Sequence, residues 1–301
     1  MKVLCFGSLN IDYVYSVDHF VAKGETLSSD GLQIFTGGKG LNQSIALARA
    51  GAEVFHAGAI GPDGRMLLEA MEHAGVNTGY VTVLSDSHTG NAIIQRDKEG
   101  DNCILLYGGA NQLISQKQVD VVLSGFSAGD YLILQNEINQ LPYIMEKAHE
   151  KGMVIVLNPS PMNEKVLALP LKYASIFLLN EVEAGQILSC GGRKPHIQLA
   201  EQLHKKFPGA AIVLTLGSKG SICIDGNALT SQPAFRVPIV DTTAAGDTFT
   251  GFFIGGLLRG KPRREAMLEA SAAAAIACSR PGAGPSIPTI GEVRSFLQAQ
   301  T

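Results

Sequence analysis

Short runs of apolar residues alternate along the chain with longer stretches in which apolar positions recur every three or four residues. Lys2–Phe6, Glu53–Ile60, Tyr131–Gln135, Val154–Leu157, Ile176–Leu179 and Ala211–Leu214 read as strands. Leu41–Ala50, Arg65–Ala74, Leu141–Lys151, Glu181–Leu188 and Pro195–Phe207 read as the helices between them. This alternation predicts an α/β fold, a mostly parallel sheet covered by helices on both faces. Three stretches break the pattern. Tyr13–Val17, Leu32–Phe35 and Asn91–Tyr107 look extended with no helix of their own, and the last contains the turn sequence Asp97-Lys98-Glu99-Gly100-Asp101-Asn102. These stretches predict a small antiparallel sheet standing off the main body, a candidate lid with strands from about 12–17, 31–36 and 90–107. No repeat, low-complexity tract or linker divides residues 1–301, so a single domain is expected.

Composition narrows the function. The chain is 46% hydrophobic and 17% charged, with 34 glycines and a formal net charge of −3, which favours neither nucleic acid nor an anionic membrane as partner. An anionic substrate would therefore need local positive charge, from backbone dipoles, a few lysines or metal ions. Cys5, Cys103, Cys190, Cys223 and Cys278 are odd in number and form no CxxC, so reduced thiols and no zinc site are expected. No apolar stretch is long enough to span a membrane, and MKVLCFGSLN reads as a first strand, so a cytoplasmic protein is expected.

The most informative stretch is IVDTTAAGDTFTG at 239–251. Gly246-Asp247-Thr248 opens an apolar helix, and unpaired backbone N–H groups at a helix start bind anions. A carboxylate would repel a phosphate. Asp247 therefore suits a base that takes a proton from a substrate hydroxyl, while the N–H groups hold phosphate charge. The bland alternative is an acidic helix cap. Thr36-Gly37-Gly38-Lys39-Gly40-Leu41-Asn42-Gln43 adds a glycine-rich approach, a cation and an amide on the first helical turn; no Walker A pattern exists. Asn10 and Asp12 alternate around Ile11 and offer hydrogen bonds to neighbouring hydroxyls. Asn180-Glu181-Val182-Glu183 reads either as acidic residues on a helix dipole or as a site ordering hydrated Mg²⁺. Thr215-Leu216-Gly217-Ser218-Lys219-Gly220 is a strand-to-turn loop able to border a nucleotide.

Together these segments resemble the ribokinase (PfkB) family of carbohydrate kinases. GGKGLNQ at 37–43 and DTTAAGDTFTG at 241–251 look like the family's two signatures, and NExE at 180–183 and TLGSKG at 215–220 follow in family order. GSLNID at 7–12, YGGAN at 107–111, QNE at 135–137 and LNPSP at 157–161 resemble the family's ribose-phosphorylating members. The resemblance implies a three-layer sandwich with a β-sheet lid, and an ATP-dependent kinase acting on a sugar's primary hydroxyl, ribose before others. It implies Asp247 as base, with Ala244, Ala245, Gly246 and Asp247 as anion hole. Sugar contacts fall to Asn10, Asp12, Gly38, Lys39, Asn42 and Glu137, with Ala92, Ile94 and Leu106 covering the sugar. Nucleotide contacts fall to Asn180, Thr215, Leu216, Gly217, Ser218, Lys219, Gly220 and Ser271. Glu183 would order Mg²⁺ indirectly. Asp241, Thr243, Ala277, Arg280, Gly282 and Ser286 would hold an activating K⁺. A homodimer through the lid sheets is also expected. The alternatives are a kinase for deoxyribose, fructose or an adenosine-type nucleoside, and a non-catalytic sugar-binding regulator.

Overall fold

Alternate residues of the first strand, Val3–Phe6 (β1), supply two different cores. Leu4 and Phe6 enter one, Val3 and Cys5 the other, and all four are fully buried. A strand covered on both faces belongs in the middle of a layered α/β structure. The computed structural model describes residues 1–190 and 194–300, and it has that arrangement. After β1 come β2 (Asn10–Ser16), β3 (Gly31–Gly37), α1 (Lys39–Arg49), β4 (Val54–Ile60), α2 (Arg65–His73), β5 (Asn77–Val83), β6 (Gly90–Arg96) and β7 (Asn102–Tyr107). The chain continues through α3 (Gln116–Ser124), β8 (Tyr131–Gln135), α4 (Leu141–Glu150), β9 (Val154–Asn158), α5 (Glu164–Leu167), β10 (Ile176–Asn180), α6 (Glu181–Ile187), α7 (His196–Lys206) and β11 (Ala211–Thr215). It ends with β12 (Ser221–Asp225), β13 (Ala228–Gln232), α8 (Ala245–Leu258), α9 (Arg263–Cys278) and α10 (Ile290–Gln298).

The nine-stranded sheet has the order β13-β12-β11-β10-β9-β8-β1-β4-β5. It is parallel from β11 to β5, and β12 and β13 add an antiparallel edge. One face packs on α3, α4, α6 and α7, the other on α1, α2, α8, α9 and α10. The chain order reverses between β1 and β8, so their carboxyl ends open a crevice where ligands of such sheets bind. Among the described residues, no helix is long and apolar enough to cross a membrane.

The expected strands and helices form with small shifts. α1 starts at Lys39, two residues earlier than its apolar periodicity indicated. Gly38, at φ 93°, turns the chain directly from β3 into the helix. The hairpin turn between β6 and β7 forms as read: Asp97 Oδ1 accepts the Glu99 and Asp101 N–H groups, and Gly100 takes φ 89°. β5, β12, β13, α3, α5, α9 and α10 were not anticipated: β5, β13, α3 and α10 are part-exposed and carry a weak period, α5 is a single turn, and β12 and the alanine-rich α9 are buried along most of their length, so neither shows a one-faced pattern. The small sheet, β3-β2-β6-β7, is corrected in one respect. Its outer pairs are antiparallel, but the central pair β2–β6 is parallel, because the chain crosses the main sheet between them.

Candidate active site

Asp247 lies on the first turn of α8, buried to 5% exposure, and both its oxygens are held. Asn42 Nδ2 donates to Oδ2 at 3.1 Å and Gln43 Nε2 to Oδ1 at 2.9 Å. Both donors come from α1, so two helices distant in sequence build one carboxylate cradle. Asn42 Oδ1 is buried without a partner, an acceptor left over beside that carboxylate.

The starts of α1 and α8 differ in a way that decides which one can receive an anion. In α1 the first N–H groups are already occupied: Lys39 N donates to Glu137 Oε2 at 2.9 Å, Gly40 N to Ser8 Oγ at 3.2 Å and Leu41 N to the Ser8 carbonyl at 3.0 Å. In α8 the Ala245 N–H donates to the Thr242 carbonyl at 3.2 Å, and Thr248 N to the Ala244 carbonyl. Among the described residues, the N–H groups of Ala244, Gly246 and Asp247 have no protein acceptor. The α8 end thus keeps N–H groups free to receive an anion, although that of Ala245 is occupied.

A cavity of about 110 Å³ opens on that helix end. Lys39, Asn180, Glu183, Thr215, Gly246 and Asp247 line it, together with Thr243, Asn158, Ser160 and Thr250. Burial disfavours the Lys39 ammonium, but Asp247, Glu137 and Glu183 outweigh it and hold its pKa above the ordinary lysine value. A fixed cation and open N–H groups therefore share one small polar cavity.

The residues expected to contact a sugar are linked to this cavity wall through Lys39. Glu137 accepts hydrogen bonds from the Ser8 hydroxyl and the Lys39 N–H. Asn111 bonds both backbone groups of Leu9, and its Nδ2 donates to Asn10 Oδ1 at 2.8 Å, which turns the Asn10 amide oxygen towards Asn111. Asp12 stands opposite Phe35 and Ala92, and Ala92 opposite Leu106; opposed residues share a face of a sheet. Ile94, two residues along β6, faces the same way. Asn10, Asp12, Ala92, Ile94 and Leu106 thus lie on one side of the small sheet. Burial first, and the Glu137 charge second, push the Asp12 carboxyl up to about 7.

The remaining expected residues divide. Asn180 and Glu183 form a reciprocal capping box. Asn180 Oδ1 accepts the Val182 and Glu183 N–H groups at 2.9 Å each, and Glu183 Oε2 accepts the Asn180 N–H at 3.0 Å. The helix-cap reading is therefore present in the structure, and it leaves Asn180 only a donor. Gly217, Ser218 and Lys219 are exposed on a single helical turn between two positive-φ glycines, Gly217 and Gly220. Leu216 is buried, and its N–H is taken by the Gly220 carbonyl, so it offers a ligand little. Ser271 is buried in α9 and is not part of the cavity wall.

Around the expected cation site, Asp241 Oδ2 accepts the Gly282 N–H, and its Oδ1 accepts from the Thr243 N–H and hydroxyl. Burial opposes the charge, but these bonds and nearby Arg96 hold the Asp241 carboxyl below its ordinary range. Ser286 Oγ donates to the Ala283 carbonyl. The Arg280 guanidinium pairs with Glu292, and the Arg280 N–H takes the Ala277 carbonyl.

Sequence reasoning missed Gln43, Ser8, Asn111 and Asn158 as parts of the site. All four lie inside the segments GGKGLNQ, GSLNID, YGGAN and LNPSP, so position in a motif was the available signal. What was lacking was knowledge of which side chains meet.

A model of pfkB family carbohydrate kinases matches residues 1–290. The chain is 36% identical over 302 residues to the ribokinase of Haemophilus influenzae, covering 97% of each chain. Among solved structures it is similar to the ribokinase of Cryptococcus neoformans in complex with ADP, at 35% identity and a TM-score of 0.85, covering 98% of this chain and 99% of that one. It is also similar to the Arabidopsis thaliana ribokinase complexed with ribose and ATP, at 28% identity and a TM-score of 0.87, covering 99% of this chain and 98% of that one.

Proposed function

Because the chain belongs to the pfkB family of carbohydrate kinases, we propose that it transfers the γ-phosphoryl group of ATP to the primary hydroxyl of ribose, giving ribose 5-phosphate. The observation that carries this reading is the juxtaposition at α8: a doubly held Asp247, open helix N–H groups and Lys39 around one cavity. The relatives complexed with ADP, and with ribose and ATP, support it.

In this reading the sugar lies between the small sheet and α1. Asp12 accepts hydroxyl hydrogens, Asn10 donates, and Gly38, Lys39, Asn42 and Glu137 complete the contacts. Ala92, Ile94 and Leu106 cover it and exclude water, the competing phosphoryl acceptor. Asp247 takes the proton of the attacking hydroxyl. The N–H groups of Ala244, Ala245, Gly246 and Asp247, with Lys39, balance the charge that develops on the transferred group, Ala245 by giving up its bond to Thr242. The Thr215–Gly220 loop borders the nucleotide through its exposed Gly217–Lys219 turn; Ser271 contributes only where the base approaches α9.

The donor set fits both ions the family implies. Glu183 suits a water of hydrated Mg²⁺, whereas Asn180, with its oxygen spent, suits a phosphate oxygen. Oxygens of Asp241, Thr243, Ala277, Arg280, Gly282 and Ser286 suit K⁺, the first directly and Arg280 only through its carbonyl. When bound, the two ions would neutralise phosphate charge and polarise the anion hole.

ADP release with ribose, 2-deoxyribose, fructose and adenosine tests the substrate. Ribose is expected to exceed the others at least ~10-fold in kcat/KM, because a sugar lacking a partner hydroxyl leaves the half-buried Asp12 unpaired. Since Asp12 binds best ionised and titrates near 7 without sugar, the ribose KM is expected to be about tenfold higher at pH 6 than at pH 8. Preference for another acceptor would move the substrate assignment; a KM flat across that range would remove Asp12 from it.

The outer face of the small sheet carries Leu32, Ile34, Ile93, Leu105 and Tyr107, between 40% and 68% exposed. So large an apolar patch, beside the unpaired edge of β7, is suited to a second copy, and we read the protein as a homodimer joined there. Light scattering at micromolar concentration is expected to give twice the 31.8 kDa chain mass, and Leu105→Asp to give the monomer. A monomeric parent protein would defeat this reading.

A further inference from the structure

We infer that Gln43 is a positioning residue for Asp247, the last link of a one-way amide relay running from Gln135 through Gln43 to the base. Gln43 and Gln135 are both fully buried. Gln135 Nε2 donates to Gln43 Oε1 at 2.7 Å, and Gln43 Nε2 donates to Asp247 Oδ1 at 2.9 Å. A second amide enforces the same direction. Asn158 Nδ2 donates to the Leu178 carbonyl at 2.7 Å, which turns Asn158 Oδ1 towards Gln43, where it accepts from Nε2 at 3.2 Å. Flipping the Gln43 amide would set its oxygen against both the Asp247 carboxylate and Asn158 Oδ1, and its nitrogen against a donor. Gln43 can therefore only donate to Asp247.

A buried glutamine serving the core alone would satisfy itself on nearby backbone. Here, among the described residues, the Gln43 side chain bonds to Gln135, Asn158 and Asp247 alone. A donor fixed on one carboxylate oxygen favours the ionised form and restricts the carboxylate plane. Gln135 sits at the end of β8 and Gln43 on α1, so the relay fastens the base to the central sheet as well as to its own helix. Neither glutamine lines the cavity at α8, so the relay's effect there passes through Asp247.

This inference rests on Asp247 being the proton acceptor, and its test separates the two. Gln43→Met keeps the length and removes the donor. The acid limb of kcat, which reports the sugar-bound enzyme in which Asp12 is already paired, is expected to move up and kcat at neutral pH to fall at least ~10-fold, with the sugar KM within about threefold. Gln43→Glu, which sets a second carboxylate against the first, is expected to move the limb further in the same direction. In parallel, the ¹³C-labelled carboxyl resonance of Asp247, assigned by its loss in Asp247→Asn, is followed against pH in sugar-free protein, a readout that needs no turnover. Its titration midpoint is expected to rise in the same order. Should Gln43→Met fail to fold, Gln135→Leu frees the Gln43 amide from behind and is expected to shift the resonance in the same direction by a smaller amount. A shifted resonance with no matching limb in the rate profile defeats the base and keeps the relay. Variants that fold and leave both the resonance and the limb where the parent has them overturn the relay and leave Gln43 a core residue.

Discussion

Asp247→Asn lowers kcat at least ~100-fold and abolishes the acid limb of the rate profile, with the sugar KM changed little. The expectation follows from the cradle geometry. Asn42 and Gln43 present N–H groups to the two oxygens, so an amide in place of the carboxylate keeps the volume and cannot accept the sugar's proton. It also turns its own N–H₂ towards one of those two donors, which adds a rearrangement to the chemical loss. Asp247→Ala separates the contributions: it removes the base without the opposed donors, so a similar loss in both variants attributes it to proton transfer. Near-normal turnover in Asp247→Asn, measured by ADP release under saturating sugar and nucleotide, would falsify the assignment of the base and leave the N–H groups of α8 as the main source of catalysis.

Gly251→Val is expected to lower kcat about 100-fold without touching any ligand. α1 and α8 pack at close range, and a Cβ on Gly251 would lie 2.3 Å from Ala46 Cβ and 2.7 Å from Leu47 N, a backbone atom that cannot swing away. Gly251 follows Asp247 by one helical turn, and Ala46 follows Asn42 by one turn. A wedge at this crossing therefore parts the helices one turn below the cradle and draws Asn42 and Gln43 away from Asp247. Overpacking of this kind costs about 2 kcal/mol, so the unfolding midpoint should fall by roughly 3 °C while the protein still folds. A displacement near 1 Å at the base is enough for the kinetic loss. Gly251→Ala should show the same effects at smaller size. If Gly251→Val lost stability and retained full kcat, the helix contact would be structural only, and the cradle would tolerate movement.

Much of this site was legible before any coordinates. Asp247, the glycine-rich Gly37–Gly40 approach and the Asn180–Glu183 turn were each recognisable from residue type and place beside a predicted helix start, because backbone N–H groups exposed by a helix start are a local property. Asn180 shows the boundary of that reasoning. Its cap and its ligand role were both readable, but only the fold shows that its Oδ1 is committed to the Val182 and Glu183 N–H groups. In the same way, the start of α1 follows a glycine-rich approach, and sequence alone does not show that its first N–H groups are taken. The Ser8 and Glu137 oxygens that take them come from segments 31 and 98 residues away from Lys39, counting from the residue numbers, and nothing local announces them.

The sequence by itself determined the strand–helix alternation, the extended segments of the small sheet and the chemical inventory of the two signatures, since these depend on residue type at spacings within a turn or a strand. The tertiary structure alone decided the parallel pairing of β2 with β6, the shared face of Asp12, Ala92 and Leu106, the raised pKa of Asp12 and the amide relay onto Asp247. The reason is physical. Pairing register, desolvation and the direction of a buried amide are set by neighbours brought together from far along the chain, and their energies exist only once water has been excluded between them.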